Sequence, residues 1–433
     1  MSRKMSAAEG LLDFIEQSPS VYHVVDNIKK LLLQKGFIEL KETESWEIKP
    51  SKGYFVIRND SSLIAFRMPG KQPKGFHIVA SHSDSPTFKV KENAGMTVEE
   101  RYIKLNTEKY GGMILSSWMD RPLSIAGRIV VKDENDTPQV KLVNVDKDLL
   151  VIPNVAIHMN RDINSKYEYN AQIDMLPLMA LGKVEAAAKD KEHFVFKEIA
   201  AAAEVDMETI LGHDLFLYVR ERGRILGANS EFVLSPKLDD LQCVYTSTQA
   251  FADTKPKQYV NVLAVFDNEE VGSGTAQGAD STLLSDVLLR IGEVLGWSHG
   301  DYCGMVADSF LISADNAHVV HPNHSEKADP TNRPYIGGGI VLKYHGGQKY
   351  TTDAVSAARL KLLCEEAEIT YQTYTNRSDI AGGSTLGNIS TAHVSLSSVD
   401  IGLPQLAMHS AVETAGVQDT EDAIKLFQKL YAK

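Results

Sequence analysis

A chain of 433 residues, 43% hydrophobic and 24% charged, has the composition of an ordinary water-soluble globular protein and the length of about two domains. Its net charge of -12 argues against nucleic acid or an anionic membrane as the main partner. No apolar run reaches transmembrane length, and the first ten residues lack the apolar core of a secretory signal, so a cytoplasmic protein is expected. Cys243, Cys303 and Cys364 lie far apart, with no metal-ligand spacing, and are expected to be buried thiols.

In chain order, Leu11, Leu12, Phe14 and Ile15 form an apolar stripe that predicts a short helix ended by Ser18-Pro-Ser20. Val21, Val24, Val25, Ile28, Leu31 and Leu32 predict a second helix, stopped at Gly36. Strands follow at Gly53-Tyr-Phe-Val-Ile57 and Leu63-Ile-Ala-Phe66, joined by a turn at Asn59-Asp-Ser-Ser62. Phe76-His-Ile-Val-Ala80 is another strand, and it runs into Ser81-His-Ser-Asp-Ser-Pro86.

From 89 to 231 the texture changes to short β-rich runs between charged turns, which predicts an inserted β-rich domain between parts 1–88 and 232–433 of another domain. Its strands include Ile125–Val131 and Val140–Val145. Its apolar run Leu149–His158 leads into a polar stretch, and a helix is predicted around Leu181 to Lys189. Beyond it, Ser235-Pro-Lys-Leu-Asp-Asp-Leu241 predicts a helix with proline in its first turn. Tyr259–Phe266 is almost continuously apolar and reads as a buried parallel strand. Helices at 281–295 and 353–367 alternate with strands at 341–344, 371–374 and 394–399, so the fold class is α/β.

Five places share one pattern, an acid or histidine where an apolar run stops: His82 with Asp84, Asp239, Glu269 with Glu270, Asp315, and His409. Ligands of open α/β sheets bind beyond the carboxyl ends of the strands, where such residues collect. Each alone has an ordinary explanation: an acidic turn at Glu269-Glu270, a helix-dipole charge at Asp239, an N-cap at Asp315, a surface imidazole at His409. Together they provide the two histidines and three carboxylates that a pair of divalent metals requires, one carboxylate bridging. If Glu269 and Glu270 lie on extended backbone, their side chains point opposite ways, leaving one for metal and one for a proton. A three-histidine site of His82, His158 and His409 is the simpler alternative, but it leaves the carboxylates without a task. The runs Gly272-Ser-Gly274 and Gly337-Gly-Gly339 fit no nucleotide-binding fingerprint and read as turns that let backbone approach the site.

Longer motifs carry a resemblance over nearly the whole chain. They are Ser81-His-Ser-Asp-Ser-Pro86, Ala156-Ile-His158, Ser235-Pro-Lys-Leu-Asp-Asp-Leu241, Phe266-Asp-Asn-Glu-Glu-Val-Gly272 and Ser313-Ala-Asp-Asn-Ala-His-Val-Val-His-Pro-Asn323. Lys343 with Tyr350, Ser378-Asp379 with Gly383-Ser-Thr385, and Ala407-Met-His-Ser-Ala-Val-Glu413 continue the series. In these the chain resembles the M18 metallo-aminopeptidases, the family that includes aspartyl aminopeptidase. The resemblance implies a three-layer α/β/α metallopeptidase domain whose insertion dimerises, and dimers that assemble into a dodecamer. It implies two divalent ions, zinc with cobalt or manganese as alternatives: one held by His82 and Asp315, one by Glu270 and His409, with Asp239 bridging. It makes Glu269 the general base, Asp84 the group orienting His82, and His158 a residue donated across the dimer to hold the oxyanion. His318, Lys343, Tyr350 and Ser384 fall to the substrate pocket, with Lys343 favouring an acidic N-terminal residue of a peptide. Gly382, Asn388 and Asp240 depart from the family's pattern, which leaves the substrate preference open. An aminopeptidase of neutral or hydrophobic preference, a metal-dependent deacylase of N-acyl amino acids and a catalytically idle assembly or cargo protein are the rival readings.

Overall fold

The computed structural model describes residues 6–181 and 191–433. The helix expected around Leu181 to Lys189 falls almost wholly outside them. The described residues build three sheets, and the largest follows from apolar runs too continuous to leave either face in water. Its nine strands lie in the order Ile38–Glu39, Gly53–Arg58, Ser62–Arg67, Val260–Phe266, Phe76–His82, Phe310–Ala314, Ser397–Gly402, Ile340–Lys343, Tyr371–Tyr374. Val260–Phe266, Phe76–His82, Phe310–Ala314 and Ser397–Gly402 run parallel, with Phe266 opposite His82 and Ser313 opposite both Ala80 and Asp400. The carboxyl ends of these four strands therefore share one edge.

Alternate residues of the central strands feed two cores. Val79, Leu263, Val265 and Ile312 pack with Leu11, Ile28, Phe251 and Leu426 from helices Ala7–Glu16, Val21–Gln34, Leu238–Asp253 and Val417–Tyr431. Ile78, Ala80, Val262 and Ala264 face the other way, against Leu284, Leu288 and Ile291 of helix Leu283–Val294. The result is helices on both faces of a mainly parallel sheet. Among the described residues no helix is long and apolar enough to cross a membrane.

A second, six-stranded antiparallel sheet runs Pro138–Asn144, Leu123–Lys132, Ile210–Val219, Thr87–Val98, Tyr102–Tyr110, Leu178–Leu181. Helix Lys191–Ala203 covers it through Val195 and Ile199. A third sheet, Arg224–Leu226, Phe232–Ser235, Glu413–Gly416, Pro404–Leu406, Ala317–His318, lies at the shared edge of the first. Its hairpin between Pro404–Leu406 and Glu413–Gly416 carries His409.

Several local expectations are corrected. Val260–Phe266 is parallel only to Phe76–His82; on its other side it is antiparallel to Ser62–Arg67, because the first hairpin docks there. The strand expected at 394–399 is Ser397–Gly402, since Val394 caps helix Leu386–His393 and packs into the core. Pro236 stands ahead of helix Leu238–Asp253 rather than in its first turn, and Asp239 and Asp240 have non-helical backbone. Glu269 and Glu270 lie on a single 3-10 turn, not on extended chain, because Asn268 takes a left-handed conformation with φ 64. Gly337 and Gly339 donate their amides to Asp419 at the opposite end of strand Ile340–Lys343, so that run does not approach the site. Cys303 is exposed; Cys243 and Cys364 are buried.

Two glycines give opposite expectations for stability. A Cβ on Gly402 would overlap the Asp315 carbonyl oxygen and crowd Ala317, whereas one on Gly304, inside helix His299–Ala307, meets nothing within 4 Å. Gly402→Ala should destabilise by about 1–3 kcal/mol in urea unfolding, and Gly304→Ala should stabilise by up to about 1 kcal/mol.

Candidate metal centre and substrate cavity

Each residue flagged at a strand end can be followed to this edge. His82 closes strand Phe76–His82, Glu269 and Glu270 follow Val260–Phe266, and Asp315 follows Phe310–Ala314. Asp239 enters from the chain leading into helix Leu238–Asp253, and the Asp239–Asp240 peptide bond is cis. His409 arrives on the hairpin loop with φ 65.

Among the described residues three overlapping groups of ligand atoms result, each within 4.8 Å: His82, Asp239, Asp240 and Asp315; His82, Glu269 and Glu270; Asp239, Glu270 and His409. Asp239 stands between the imidazoles. Its Oδ1 is 3.5 Å from His82 Nε2 and its Oδ2 is 3.3 Å from His409 Nε2. Glu270 Oε2 is 3.4 Å from the same His409 nitrogen. The other ring nitrogens are engaged elsewhere. His82 Nδ1 lies 3.0 Å from the Asp84 carbonyl oxygen and 3.4 Å from Asp84 Oδ1, and His409 Nδ1 donates to the Gly112 carbonyl at 2.5 Å. That leaves both Nε2 atoms facing the carboxylates, the usual arrangement of ligating histidines.

The electrostatics call for cations. Burial, then the negative charges of Asp315, Asp84 and Asp239, push Glu269 up to about 8, with His82 opposing. Burial first, then Asp239, holds Glu270 far above the ordinary carboxylate range, and burial also raises Asp315. Asp239 is held low: burial opposes its ionisation, but the His409 and His82 imidazoles beside it outweigh that. Burial lowers His409, yet Asp239 lifts it to about 9. Asp239 Oδ1 and Glu270 Oε1 are buried without a hydrogen-bond partner. Crowded carboxylates, imidazole nitrogens aimed at them and orphaned oxygens form a donor set suited to divalent zinc.

Two cavities flank Asp239. One, of about 250 Å³, is lined by Asp239, Glu269, Asp315 and His409 together with His318, Lys343, Tyr350 and Ser384. The other, of about 240 Å³, lies toward Asp84, Tyr110, Lys237 and Asp267. Only the first joins Glu269, Asp315 and His409 to the four residues flagged for substrate. In it Lys343 is buried; its Nζ donates to the Asn316 carbonyl at 2.9 Å and lies 3.6 Å from Asp315 Oδ1 and 5.5 Å from the Tyr350 ring centroid. His318 opens onto the cavity, and its pKa is lowered by burial first and by Lys343 second. Ser384 Oγ lies 2.8 Å from the Asn388 side-chain amide, so one departure from the family's pattern touches the cavity rim.

His158 is elsewhere. It is exposed on a turn beside exposed Ile157 and Met159 and joins none of the three ligand groups, so the His82, His158, His409 set is not brought together within one chain. Some residues around the cluster escaped the sequence reading. Glu413 accepts from the Asp239 amide at 3.0 Å and the His409 amide at 2.7 Å. Asp240 Oδ2 accepts from the His82 amide at 3.2 Å. The available signal was their place inside motifs already noted for their neighbours.

The family model for the Aminopeptidase I zinc metalloproteases, M18, matches residues 14–431, and the chain belongs to that family of metallo-exopeptidases. Among its relatives is the probable M18 family aminopeptidase 2 of Clostridium novyi (strain NT), 47% identical over 434 residues and the whole of both chains. Aspartyl aminopeptidase 1 of Schizosaccharomyces pombe is 37% identical over 450 residues, covering 98% of this chain and 94% of its own. The fold superposes with TM-score 0.93 on Ape4 in its complex with Nbr1, at 35% identity over 98% of this chain and 85% of that one. It superposes with TM-score 0.85 on the S. cerevisiae mApe1 dodecamer, at 26% identity over 98% and 95%.

Proposed function

We propose that this chain is a cytoplasmic two-metal aminopeptidase that removes acidic N-terminal residues from peptides and works as a dodecamer assembled from dimers. The observation that carries the two-metal reading is Asp239, which offers one carboxylate oxygen to the surroundings of His82 and the other to those of His409. In this reading His82 and Asp315 hold one divalent ion, Glu270 and His409 the other, and Asp239 bridges. Bound there, zinc supplies Lewis acidity, lowering the pKa of water and polarising the scissile carbonyl.

The chain's own groups do the rest. Glu269 lines the cavity, takes a proton from the attacking water on its carboxylate and returns it to the leaving amine. Asp84 keeps His82 oriented. Once Asp315 serves a metal, the Lys343 ammonium is the cation facing a substrate carboxylate, with Tyr350, His318 and Ser384 completing the wall. A neutral preference is supported by the pairing of Lys343 with Asp315 and the Asn316 carbonyl, which absorbs part of its charge.

Residues 89–231 are assigned to dimerisation. The exposed turn bearing Ile157, His158 and Met159 suits contact with a second copy, and His158 then reaches the partner's site to hold the oxyanion.

Three experiments test this reading. Elemental analysis should find about two ions per chain. Glu269→Gln should keep them while kcat falls by roughly 10²–10⁴, and Glu270→Gln should lose one. The reverse pattern of metal loss means that the two roles are exchanged.

On peptides beginning with Asp, Glu, Ala and Leu, Lys343→Met should lower the Asp-to-Leu ratio of kcat/KM by about ten- to a hundred-fold, the scale of a hydrogen bond to a charged group. A wild type that prefers Leu, or an unchanged ratio, removes Lys343 from specificity.

Mixing His158→Ala with Glu269→Gln chains should restore part of the activity, because a mixed dimer pairs one intact Glu269 with the other copy's intact His158. Absence of recovery in verified mixed dimers refutes the shared site.

A further inference from the structure

The six-stranded sheet enters the ligand cluster through one strand end. Tyr110 closes strand Tyr102–Tyr110, its ring edge-on to Phe216 with centroids 5.5 Å apart. Its hydroxyl donates to Asp84 Oδ2 at 2.7 Å and accepts from Asn268 Nδ2 at 2.8 Å. The same Asp84 oxygen accepts from the Glu270 amide at 3.1 Å, while Oδ1 accepts from the Glu269 amide at 3.2 Å and lies 3.4 Å from His82 Nδ1. One phenol thus reaches, through one carboxylate, both an imidazole of the cluster and the turn bearing both glutamates.

The following residues continue the contact. Gly111, with φ +79, lies so close to Glu270 that a Cβ would stand 3.1 Å from its Cβ. The Gly112 carbonyl accepts from His409 Nδ1 and the Ile114 amide donates to the His409 carbonyl at 3.0 Å.

We infer that Tyr110 is a positioning residue of this centre: its hydroxyl, acting through Asp84, fixes His82 and the Glu269–Glu270 turn, making a strand of the six-stranded sheet a working part of the catalytic machinery. The inference rests on the reading of His82 as a metal ligand oriented by Asp84. Without the hydroxyl, Asp84 Oδ2 keeps a single backbone donor and the carboxylate is held less firmly. Catalytic constellations tolerate roughly 0.5 Å of displacement. The effect therefore falls on turnover and metal retention, not on the substrate cavity, whose lining does not include Tyr110.

Tyr110→Phe keeps the ring and its contact with Phe216 and removes only the hydroxyl. Tyr218→Phe is the matched control, since that hydroxyl donates to Asn144 Oδ1 at 2.7 Å, between strands of the same sheet. Full-length chains are loaded with zinc or cobalt. They are compared by metal content, chelator competition, cobalt absorption spectrum, oligomeric size, kcat and KM. Tyr110→Phe should fold and assemble as wild type, shift the cobalt bands and lose roughly ten- to a hundred-fold in kcat or metal affinity, with KM little changed. Tyr218→Phe should match wild type in all of these. A Tyr110→Phe chain with wild-type kcat, chelator competition and spectrum overturns the inference and leaves the proposed function standing. One that fails to fold also overturns it, because the role assigned is positioning. A wild-type chain that takes up no metal overturns both.

Discussion

The carboxylate of Asp84 is the joint on which the centre turns. It lies buried two residues past the strand that ends at His82 and gathers donors from two directions, the amides of Glu269 and Glu270 and the Tyr110 hydroxyl, with the His82 ring 3.4 Å away. Hydrogen bonds to an ionised acceptor are shorter and stronger than neutral ones, and several on one carboxylate remove its freedom to rotate. Through it the end of one strand, the turn after its parallel neighbour and the rim of a second sheet hold a common geometry. Glu413 does the same for the other half, its two oxygens tying the Asp239 amide to the His409 amide.

Such fixed placement matters because the side chains at the centre repel one another. Asp239, Asp240, Glu269, Glu270 and Asp315 converge in a buried volume where like charges are costly, and Lys343 lies against this group at Asp315. Scaffold hydrogen bonds to backbone amides hold the arrangement in register, and divalent cations are the natural compensation for the charge. The same crowding explains why a buried lysine persists beside the cavity: it has a carboxylate, a carbonyl and an aromatic face around it.

Much of this was legible in the sequence. Continuous apolar runs rich in β-branched residues, such as Val260–Phe266, read as buried strands, and once four of them run parallel, residues just past their ends meet at one edge. That rule flagged His82, Glu269, Glu270 and Asp315, and the structure brings them together; the roles assigned to them came from the family resemblance. What stayed hidden depends on tertiary contact. Tyr110 ends an ordinary alternating strand, and Gly112 acts through a carbonyl that every residue possesses. The turn at Glu269 was misjudged because Asn268 adopts a left-handed conformation that its neighbours do not signal. The boundary error at 394–399 arose where a helix cap consumed the first apolar residue of the run.

The bond from His409 to the Gly112 carbonyl joins residues 297 positions apart in the chain. Closing a loop of that length costs chain entropy that local contacts do not, and topologies rich in such contacts fold slowly. The individual strands and helices can therefore be in place while the ligand cluster is still incomplete. The group formed by Asp239, Glu270 and His409 is complete only once the His409 hairpin has docked against the second sheet, so a chain arrested before that step would carry its secondary structure without the assembled cluster.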